Sequence, residues 1–182
     1  MRVGIDPSIN NTGVCVTDGV NSYYYIISSK LTKKMKEFKH DYITYIPYDK
    51  EDTKNDEYSI KEYKKFSNIV RICDKLGEIL KLYNIDNVCM EGVSYGSIGS
   101  AALVDLSFLN SAIRMTLMKM GVKFTIVSPT SLKKFACANG QADKDIIIDA
   151  WKRLDKNIKD VDGIKIDDLA DSFFLSRYPI NT

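Results

Sequence analysis

The chain has 182 residues, of which 45% are hydrophobic and 27% are charged, so its composition is that of one globular domain with a substantial core, and not of a disordered tail, a collagen or a small disulfide scaffold. Lys and Arg number 26 against 24 Asp and Glu, and the resulting net charge of +2 gives no indication of a nucleic-acid partner. Any such partner must be inferred from local charge.

Three short strands are predicted at the start of the chain. Residues 2–6, 13–17 and 22–27 are rich in apolar, β-branched or tyrosine side chains. A break rich in turn-forming residues separates the first two strands, and Asp18-Gly19 is a hairpin-type turn between the second and the third. This spacing predicts a three-stranded meander.

The next segment is unusually charged. Residues 30–65 contain ten Lys and eight Asp or Glu, with five lysines in residues 30–39 and six acids in residues 41–57. We interpret residues 30–60 as a charged excursion, a long solvated loop on the surface of the domain. A substrate-facing arm at its basic end is the alternative.

The rest of the chain alternates between helices and strands. The predicted order is a helix from Ile60 to Tyr83, a strand from Val88 to Val93, a helix from Ala101 to Met120 and a strand from Lys123 to Ser128. Three helices follow: a short one that ends at Ala136, one from Asp143 to Leu154, and one from Asp167 to Tyr178. The helix from Ala101 to Met120 is apolar on more than one side, so we expect it to lie centrally or in a subunit interface. Together the elements predict a single α/β domain over residues 1–182, with a five-stranded mixed sheet flanked by helices.

Histidine and cysteine usage narrows the chemistry. His40 is the only histidine, and its Lys-rich surroundings predict an exposed position without a role. Histidine triads and His-rich zinc sites are therefore disfavoured, and carboxylates would carry any catalysis. The four cysteines form no C-x-x-C pair, which is typical of a protein from a reducing compartment.

No membrane partner is predicted. The N-terminal residues contain no apolar segment of a signal peptide, and no window reaches about 18 apolar residues. We therefore expect a soluble protein of the cytoplasm, or of the host cytoplasm if the source is a virus or a phage.

Four carboxylates stand in unusual positions. Asp6 ends the first strand, Glu91 lies inside an apolar strand, and Asp168 and Asp171 share one face of the last helix among apolar residues. A buried carboxylate costs several kcal/mol unless it is paired or bound to a cation. Singly, Asp6 could cap a turn, Glu91 could pair with a lysine, and Asp167 and Asp168 could be ordinary acids at a helix start, where the helix dipole favours them.

Together, these four carboxylates could meet at one sheet edge. Because such a cluster repels itself and contains no histidine, it suits hard cations such as Mg²⁺ or Mn²⁺. Two such ions about 3.5–4 Å apart are the usual machinery of phosphodiester hydrolysis.

Five short runs carry a family resemblance. They are Gly4–Ser8 with Thr12-Gly13, Met90–Val93, Ser131–Lys134, Gly140–Lys144 and Asp168–Ser172. In this order and spacing they resemble the RuvC-type Holliday junction resolvases of the RNase H-like superfamily. Each run alone has low specificity, whereas the ordered set is fairly specific.

The resemblance implies roles for individual residues. It assigns Asp6, Glu91, Asp168 and Asp171 as catalytic metal-binding acids that hold Mg²⁺ or Mn²⁺, with two ions per active site. It also implies a homodimer that places two active sites on a four-way DNA junction, and cleavage that leaves 5′-phosphate and 3′-hydroxyl ends. Two lysines near the scissile phosphate would be Lys133 and Lys144, and Lys134 adjoins the first of them.

Lys144 follows a Gly140–Asp143 loop that can approach a DNA backbone closely, so it is also a candidate for neutralising charge in the transition state. The chain departs from the family pattern at Ser8, where bacterial members commonly have Gly, and at Ser94, where they have a stacking aromatic residue. Tyr95 is next and could open the junction by stacking on bases. These departures and the charged excursion suggest a viral or phage-like branch with looser specificity.

Three alternative functions fit the sequence to different degrees. An RNase H-type, flap or fork nuclease would use the same acids on a different nucleic acid. A non-catalytic protein that binds branched DNA is less consistent with a full set of four acids. An actin-like sugar or acetate kinase has a similar first hairpin, but it needs a second domain for which 182 residues leave no room.

Overall fold

The computed structural model describes residues 1–93, 101–158, 161 and 167–180. Its centre is a six-stranded mixed sheet in the spatial order β4-β3-β2-β1-β5-β6. The strands are β1 (Arg2–Asp6), β2 (Asn11–Thr17), β3 (Ser22–Ser28), β4 (Ile43–Pro47), β5 (Asn87–Glu91) and β6 (Phe124–Val127).

The directions of the strands distinguish the two ends of the sheet. β2 is antiparallel to both β1 and β3, whereas β4 is parallel to β3, β5 is parallel to β1, and β6 is parallel to β5. The carboxyl ends of β1, β3, β4, β5 and β6 therefore meet at one end of the sheet, together with the amino end of β2. We call this end the carboxyl edge.

Helices cover both faces of the sheet. They are α1 (Lys33–Glu37), α2 (Tyr58–Leu80), α3 (Ala101–Lys119), α4 (Pro129–Cys137), α5 (Lys144–Leu154) and α6 (Asp167–Arg177). One core cluster joins α2 and α3 to the sheet, and a second joins α4, α5 and α6 to its other face. Because side chains alternate along a strand, Ile5 and Met90 belong to the first cluster and Cys89 to the second.

Helix α6 lies unusually close to the sheet, and two glycines make this possible. A Cβ atom on Gly4 would come within 1.9 Å of the carbonyl oxygen of Ser172, and one on Gly13 within 2.2 Å of the carbonyl oxygen of Asp168. Neither position can therefore carry a side chain without moving the helix. The absence of these two side chains sets the height of α6 above β1 and β2.

The sheet has six strands and not the five that we predicted. The additional strand, β4, lies inside residues 30–60, so the interpretation of that whole segment as a solvated loop was wrong. In β4 only Ile43 is buried, as expected of a short edge strand, and the dense charge around it obscures its pattern. The segment also contains α1 and the start of α2.

His40 has a structural role that we did not predict. It is half-buried, its Nδ1 accepts a hydrogen bond from the backbone N–H of Tyr42 at 3.2 Å, and its ring is parallel to that of Phe38. The imidazole therefore helps to order the chain that leads from α1 into β4. It lies in a part of the fold that is separate from the four acids.

Candidate active site

Asp6 and Glu91 are neighbours at the carboxyl edge. The parallel register of β1 and β5 pairs Ile5 with Met90, so the next residue of each strand lies beside the other. Because Ile5 and Met90 face α2 and α3, Asp6 and Glu91 face α6. A hydrogen bond joins their carboxyl groups.

The two acids of α6 face the same point from above. Asp168 and Asp171 both interact electrostatically with Asp6, and Asp171 also with Glu91. Gly13 is the β2 residue that pairs with Asp6, and its missing side chain is what allows Asp168 to approach. The structure therefore brings together all four acids, from three separate parts of the chain.

The pKa values show how costly this arrangement is without a cation. Burial raises the pKa of Asp6 well above its usual value, and the charges of Glu91, Asp171 and Asp168 raise it further. Burial also raises the pKa of Glu91 to about 7 and that of Asp171 to about 6. The hydrogen bond with Glu91 also raises the pKa of Asp6, so the two carboxyl groups do not both ionise readily in the absence of a cation.

Two lysines face the cluster from α4 and α5. The charges of Lys133 and Lys144 lower the pKa values of both Glu91 and Asp171, against the effect of burial. Lys144 Nζ also donates a hydrogen bond to Asp167 Oδ2 at 2.6 Å, and this bond raises the pKa of Lys144. The Lys144 side chain is 70% exposed, so its ammonium group lies where a bound anion could reach it.

Two residues of the site escaped prediction. Although burial alone would raise the pKa of Asp167, its hydrogen bond to Lys144 lowers it, so Asp167 is the ionised partner of that lysine. Asn110, which is 2% exposed on α3, donates from Nδ2 to the carbonyl oxygen of Glu91 at 2.9 Å. Asp167 could not be distinguished by sequence from an ordinary acid at the start of a helix. Nothing in the sequence of the apolar helix α3 indicates that Asn110 contacts Glu91.

The other predicted contacts are less central. Lys134 is exposed on α4, and in the described part of the chain no ion pair connects it to the four acids. Ser94 and Tyr95 lie outside the described residues. The prediction that Tyr95 stacks on bases therefore stays a prediction.

The ligand atoms of the four acids are of the kind that hard cations prefer. All four side chains offer carboxylate oxygens, and their mutual repulsion and raised pKa values are what a divalent cation would relieve. Among residues 1–93, 101–158, 161 and 167–180, no three acidic, His or Cys side chains already stand at ligand distances. The four carboxylates are thus gathered at one end of the sheet without forming a ready-made set of ligands in the described residues.

Comparison with known proteins identifies the fold. The chain is similar to RuvC from Thermus thermophilus in complex with a Holliday junction substrate, with a TM-score of 0.63 and 16% identity over 97% of this chain and 91% of that one. A second structure of T. thermophilus RuvC gives a TM-score of 0.57 at 16% identity, over 96% of this chain and 89% of that one.

The yeast mitochondrial Holliday junction resolvase Ydc2 gives a TM-score of 0.54 at 18% identity, over 96% of this chain and 75% of that one. No protein-family model matches the sequence, and no curated protein matches it. The likeness therefore rests on the path of the backbone. It confirms the predicted α/β, RNase H-like architecture and the resemblance to RuvC-type resolvases at the level of fold.

Proposed function

We propose that this chain is a divalent-metal-dependent endonuclease that cleaves four-way DNA junctions and related branched DNA by phosphodiester hydrolysis. The observation that carries the proposal is the meeting of Asp6, Glu91, Asp168 and Asp171 at the carboxyl edge of an RNase H-like sheet. Two of the proteins that share this fold are a RuvC bound to a Holliday junction and a yeast resolvase.

The four carboxylates would hold Mg²⁺ or Mn²⁺, with two ions per active site. The metal would supply an activated water and charge stabilisation at the leaving oxygen. The protein's own contribution is to hold the four acids close together on strands β1 and β5 and on helix α6, which are rigid elements of the fold. Burial at the carboxyl edge also limits competing water around Asp6, which is 8% exposed.

Lys144 would neutralise charge on the phosphate. Its ammonium group is held by Asp167 at the rim of the acidic cluster, and the charge of Lys133 on α4 also acts on Asp171. A preorganised cation beside the developing negative charge lowers the barrier, because no reorganisation is needed during the reaction. Lys134 and Tyr95 would contact DNA further from the scissile bond.

We also propose a homodimer in which α3 forms part of the interface. One side of α3 is core, because Leu109, Ile113 and Leu117 are fully buried. The opposite side carries exposed apolar residues spaced by three and four positions, with a gap at Ser111: Val104, Phe108, Met115 and Met118. Phe66 of α2 extends this surface, with its ring centroid 4.9 Å from that of Phe108.

Helix α3 is also long and apolar enough to cross a membrane by length and composition. Its buried side, however, packs into the core of the sheet, and lipid insertion would separate it from that core. A second copy of the chain covers the exposed side without unfolding the domain. Such a dimer would present two active sites to one junction.

All four cysteines are free, which supports the proposal that the protein works in a reducing compartment such as the cytoplasm.

A cleavage assay tests the activity. Purified protein is incubated with Mg²⁺ or Mn²⁺ and with four-way, three-way, flap and RNA–DNA hybrid substrates, and the ends are analysed. We expect preferred cutting of branched DNA with 5′-phosphate ends, none in EDTA, and none with Asp6→Asn or Glu91→Gln, which should still bind the junction. Preferred cutting of the hybrid would indicate an RNase H-type enzyme, and binding without cutting would indicate a non-catalytic protein.

A further inference from the structure

A second feature of the carboxyl edge is a polar groove of about 840 Å³. It lies between the β1–β2 turn, the residues that follow β3, the start of α1 and the residues that follow β4. We call it the lysine groove, and its basic and amide side chains are Lys30, Lys50, Lys54, Asn10 and Asn11. Most of its lining comes from the charged excursion, which contributes no residue to the acidic cluster.

The charge of the groove favours an anion. Lys30, Lys50 and Lys54 are exposed, and within the described residues none of them forms an ion pair. Of the two acids in the lining, Glu51 is compensated, because its carboxylate accepts from Arg71 Nη2 at 2.7 Å. Asp52 keeps its charge and accepts from the backbone N–H of Lys54 at 2.9 Å. The charge of Lys54 offsets part of that of Asp52, so the three lysines leave the groove with a net positive charge.

The groove and the acidic cluster are parts of one hydrogen-bonded body. The β1–β2 turn directly follows Asp6 and also forms one wall of the groove. Four hydrogen bonds fasten this turn to the ends of β3 and β4: Tyr48 Oη to the carbonyl of Ile9 (2.5 Å), Ser29 N to the carbonyl of Asn10 (3.1 Å), Lys50 Nζ to Asn10 Oδ1 (2.9 Å) and Ser28 Oγ to Asn11 Oδ1 (2.8 Å). The distance between groove and cluster is therefore fixed.

That distance corresponds to a short stretch of DNA. β3 and β4 lie two and three strands away from β1, and neighbouring strands are about 4.8 Å apart, so the separation is about 10–14 Å. A duplex rises about 3.4 Å per nucleotide of each strand. If the axis of a bound DNA arm runs from the acids towards the groove, the groove meets phosphates about three or four nucleotides along that arm from one that lies at the acids.

We propose that the lysine groove binds the phosphodiester backbone of one DNA arm, a few nucleotides from the scissile phosphate. This inference rests on the proposed function and deepens it, because it assigns the charged excursion a share of the substrate. Lysines and neutral amides in an open groove contact phosphates without reading bases, so the groove positions an arm and adds no sequence preference.

The test compares two variants with the same change in charge. One is the groove triple variant K30A/K50A/K54A, and the control is K81A/K119A/K123A, which removes three exposed lysines near the opposite edge of the sheet. Binding of a four-way junction is measured in EDTA over a range of salt concentrations. Each lost phosphate contact reduces the slope of log K against log salt by about 0.9. We expect the groove triple to lose about two to three units of slope, and the control less than about one.

A phosphate scan locates the contact. Single methylphosphonates, which remove one backbone charge, are placed one to six nucleotides from the cleavage site. We expect one near position three or four to weaken binding by the wild type and to have no further effect on the groove triple. Should every position weaken both proteins equally, the groove does not contact this arm and the inference is wrong.

Further outcomes separate this inference from the proposed function. Wild-type cleavage combined with an unchanged salt slope in the groove triple would overturn the groove and leave the nuclease standing. Absence of any binding or cutting by the wild type would overturn both. If inorganic phosphate at matched ionic strength stabilises the wild type but not the triple, while both bind the junction equally, the groove binds a free anion and the inference is wrong.

Folding is controlled by thermal melting of both triple variants. Because the replaced lysines are exposed, we expect melting temperatures within about 4 °C of the wild type. If the groove triple melts earlier, Lys30→Gln with Lys54→Gln repeats the test. That pair leaves the hydrogen bond from Lys50 to Asn10 intact.

Discussion

At the scale of single residues, the acidic cluster lowers the stability of the metal-free fold. Glu91 has an ordinary pKa near 4.5 when exposed and about 7 in the fold, so its ionised form opposes folding. Between these two values the folded protein binds a proton that the unfolded chain does not. The stability of the metal-free protein should therefore rise as the pH falls from 8 towards 5.

Glu91→Gln removes this penalty. In EDTA at pH 8 we expect the variant to be more stable than the wild type by about 1–3 kcal/mol, and to melt several degrees higher. The advantage should shrink towards pH 5, where the wild-type side chain is protonated. Thermal melting across this pH range measures it, and the exposed Asp74→Asn serves as control. Equal melting temperatures of Glu91→Gln and wild type at pH 8 would mean that burial and neighbouring charges do not destabilise the ionised Glu91 side chain.

Lys144 and Asp167 should act as a unit in catalysis. Lys144→Ala removes the cation at the rim of the cluster, so we expect cleavage to slow by about 10²-fold or more while junction binding weakens much less. Asp167 is a positioning residue, and Asp167→Asn should slow cleavage by a smaller factor because the ammonium group loses its anchor.

The double variant K144A/D167N provides the decisive comparison. If Asp167 acts through Lys144, the double variant cleaves no more slowly than Lys144→Ala alone, as single-turnover kinetics would show. If the cleavage rate of the double variant falls by the product of the two single losses, Asp167 acts independently of Lys144. An equal loss of binding and cleavage in Lys144→Ala would reduce this lysine to a phosphate anchor.

At the scale of elements, the contact of α6 with β1 and β2 depends on the absence of side chains. Gly13→Ala places a methyl group against the backbone of Asp168, and backbone cannot be displaced as a flexible side chain can. We expect a loss of roughly 1–3 kcal/mol in stability and a larger loss of cleavage, because the helix carries two of the four acids. Chemical denaturation and the junction assay measure these effects.

Gly77→Ala is the matched control. Gly77 lies inside α2, where an added Cβ meets nothing within 4 Å. Alanine favours a helix by about 0.5–1 kcal/mol over glycine, so this variant should be more stable than the wild type and fully active. A Gly13→Ala variant that behaves like Gly77→Ala would show that α6 can move away from the sheet without cost.

Most elements could be predicted because their periodicity is strong. The predicted helix from Asp143 to Leu154 begins one residue early, and the one from Asp167 to Tyr178 ends one residue late. Glu91 and Asp171 were identifiable because a carboxylate among apolar residues is costly. β4 could not be identified, since a half-exposed edge strand has little apolar alternation. Asn110 could not be identified, because its role depends on which carbonyl it faces.

At the scale of the whole molecule, the exposed side of α3 predicts self-association. Replacing Met115 with Lys, together with Phe108→Glu, places charges where a partner helix would pack. We expect the wild type to sediment as a dimer at micromolar concentration and this variant as a monomer, measured by analytical ultracentrifugation. The monomer should bind a junction more weakly and lose paired cuts.

Val20→Lys is the control for this variant. Val20 is 86% exposed in the hairpin turn between β2 and β3, which is not part of the proposed interface, so its replacement should leave the dimer unchanged. A monomeric wild type would overturn the proposed interface. A dimer that survives both charges on α3 would place the interface elsewhere.

The carboxylates of the site extend from the central strands and from the helix pressed against them, and not from surface loops. Because the core strands and helices of a domain open most rarely, we expect the amides of β1, β5 and α6 to exchange most slowly with solvent. A ligand that binds the native state alone makes such openings rarer. A metal ion bound at the carboxyl edge should therefore slow exchange even at the slowest-exchanging amides of the molecule. Deuterium uptake by β1, β5 and α6 would then report metal binding without any cleavage of DNA.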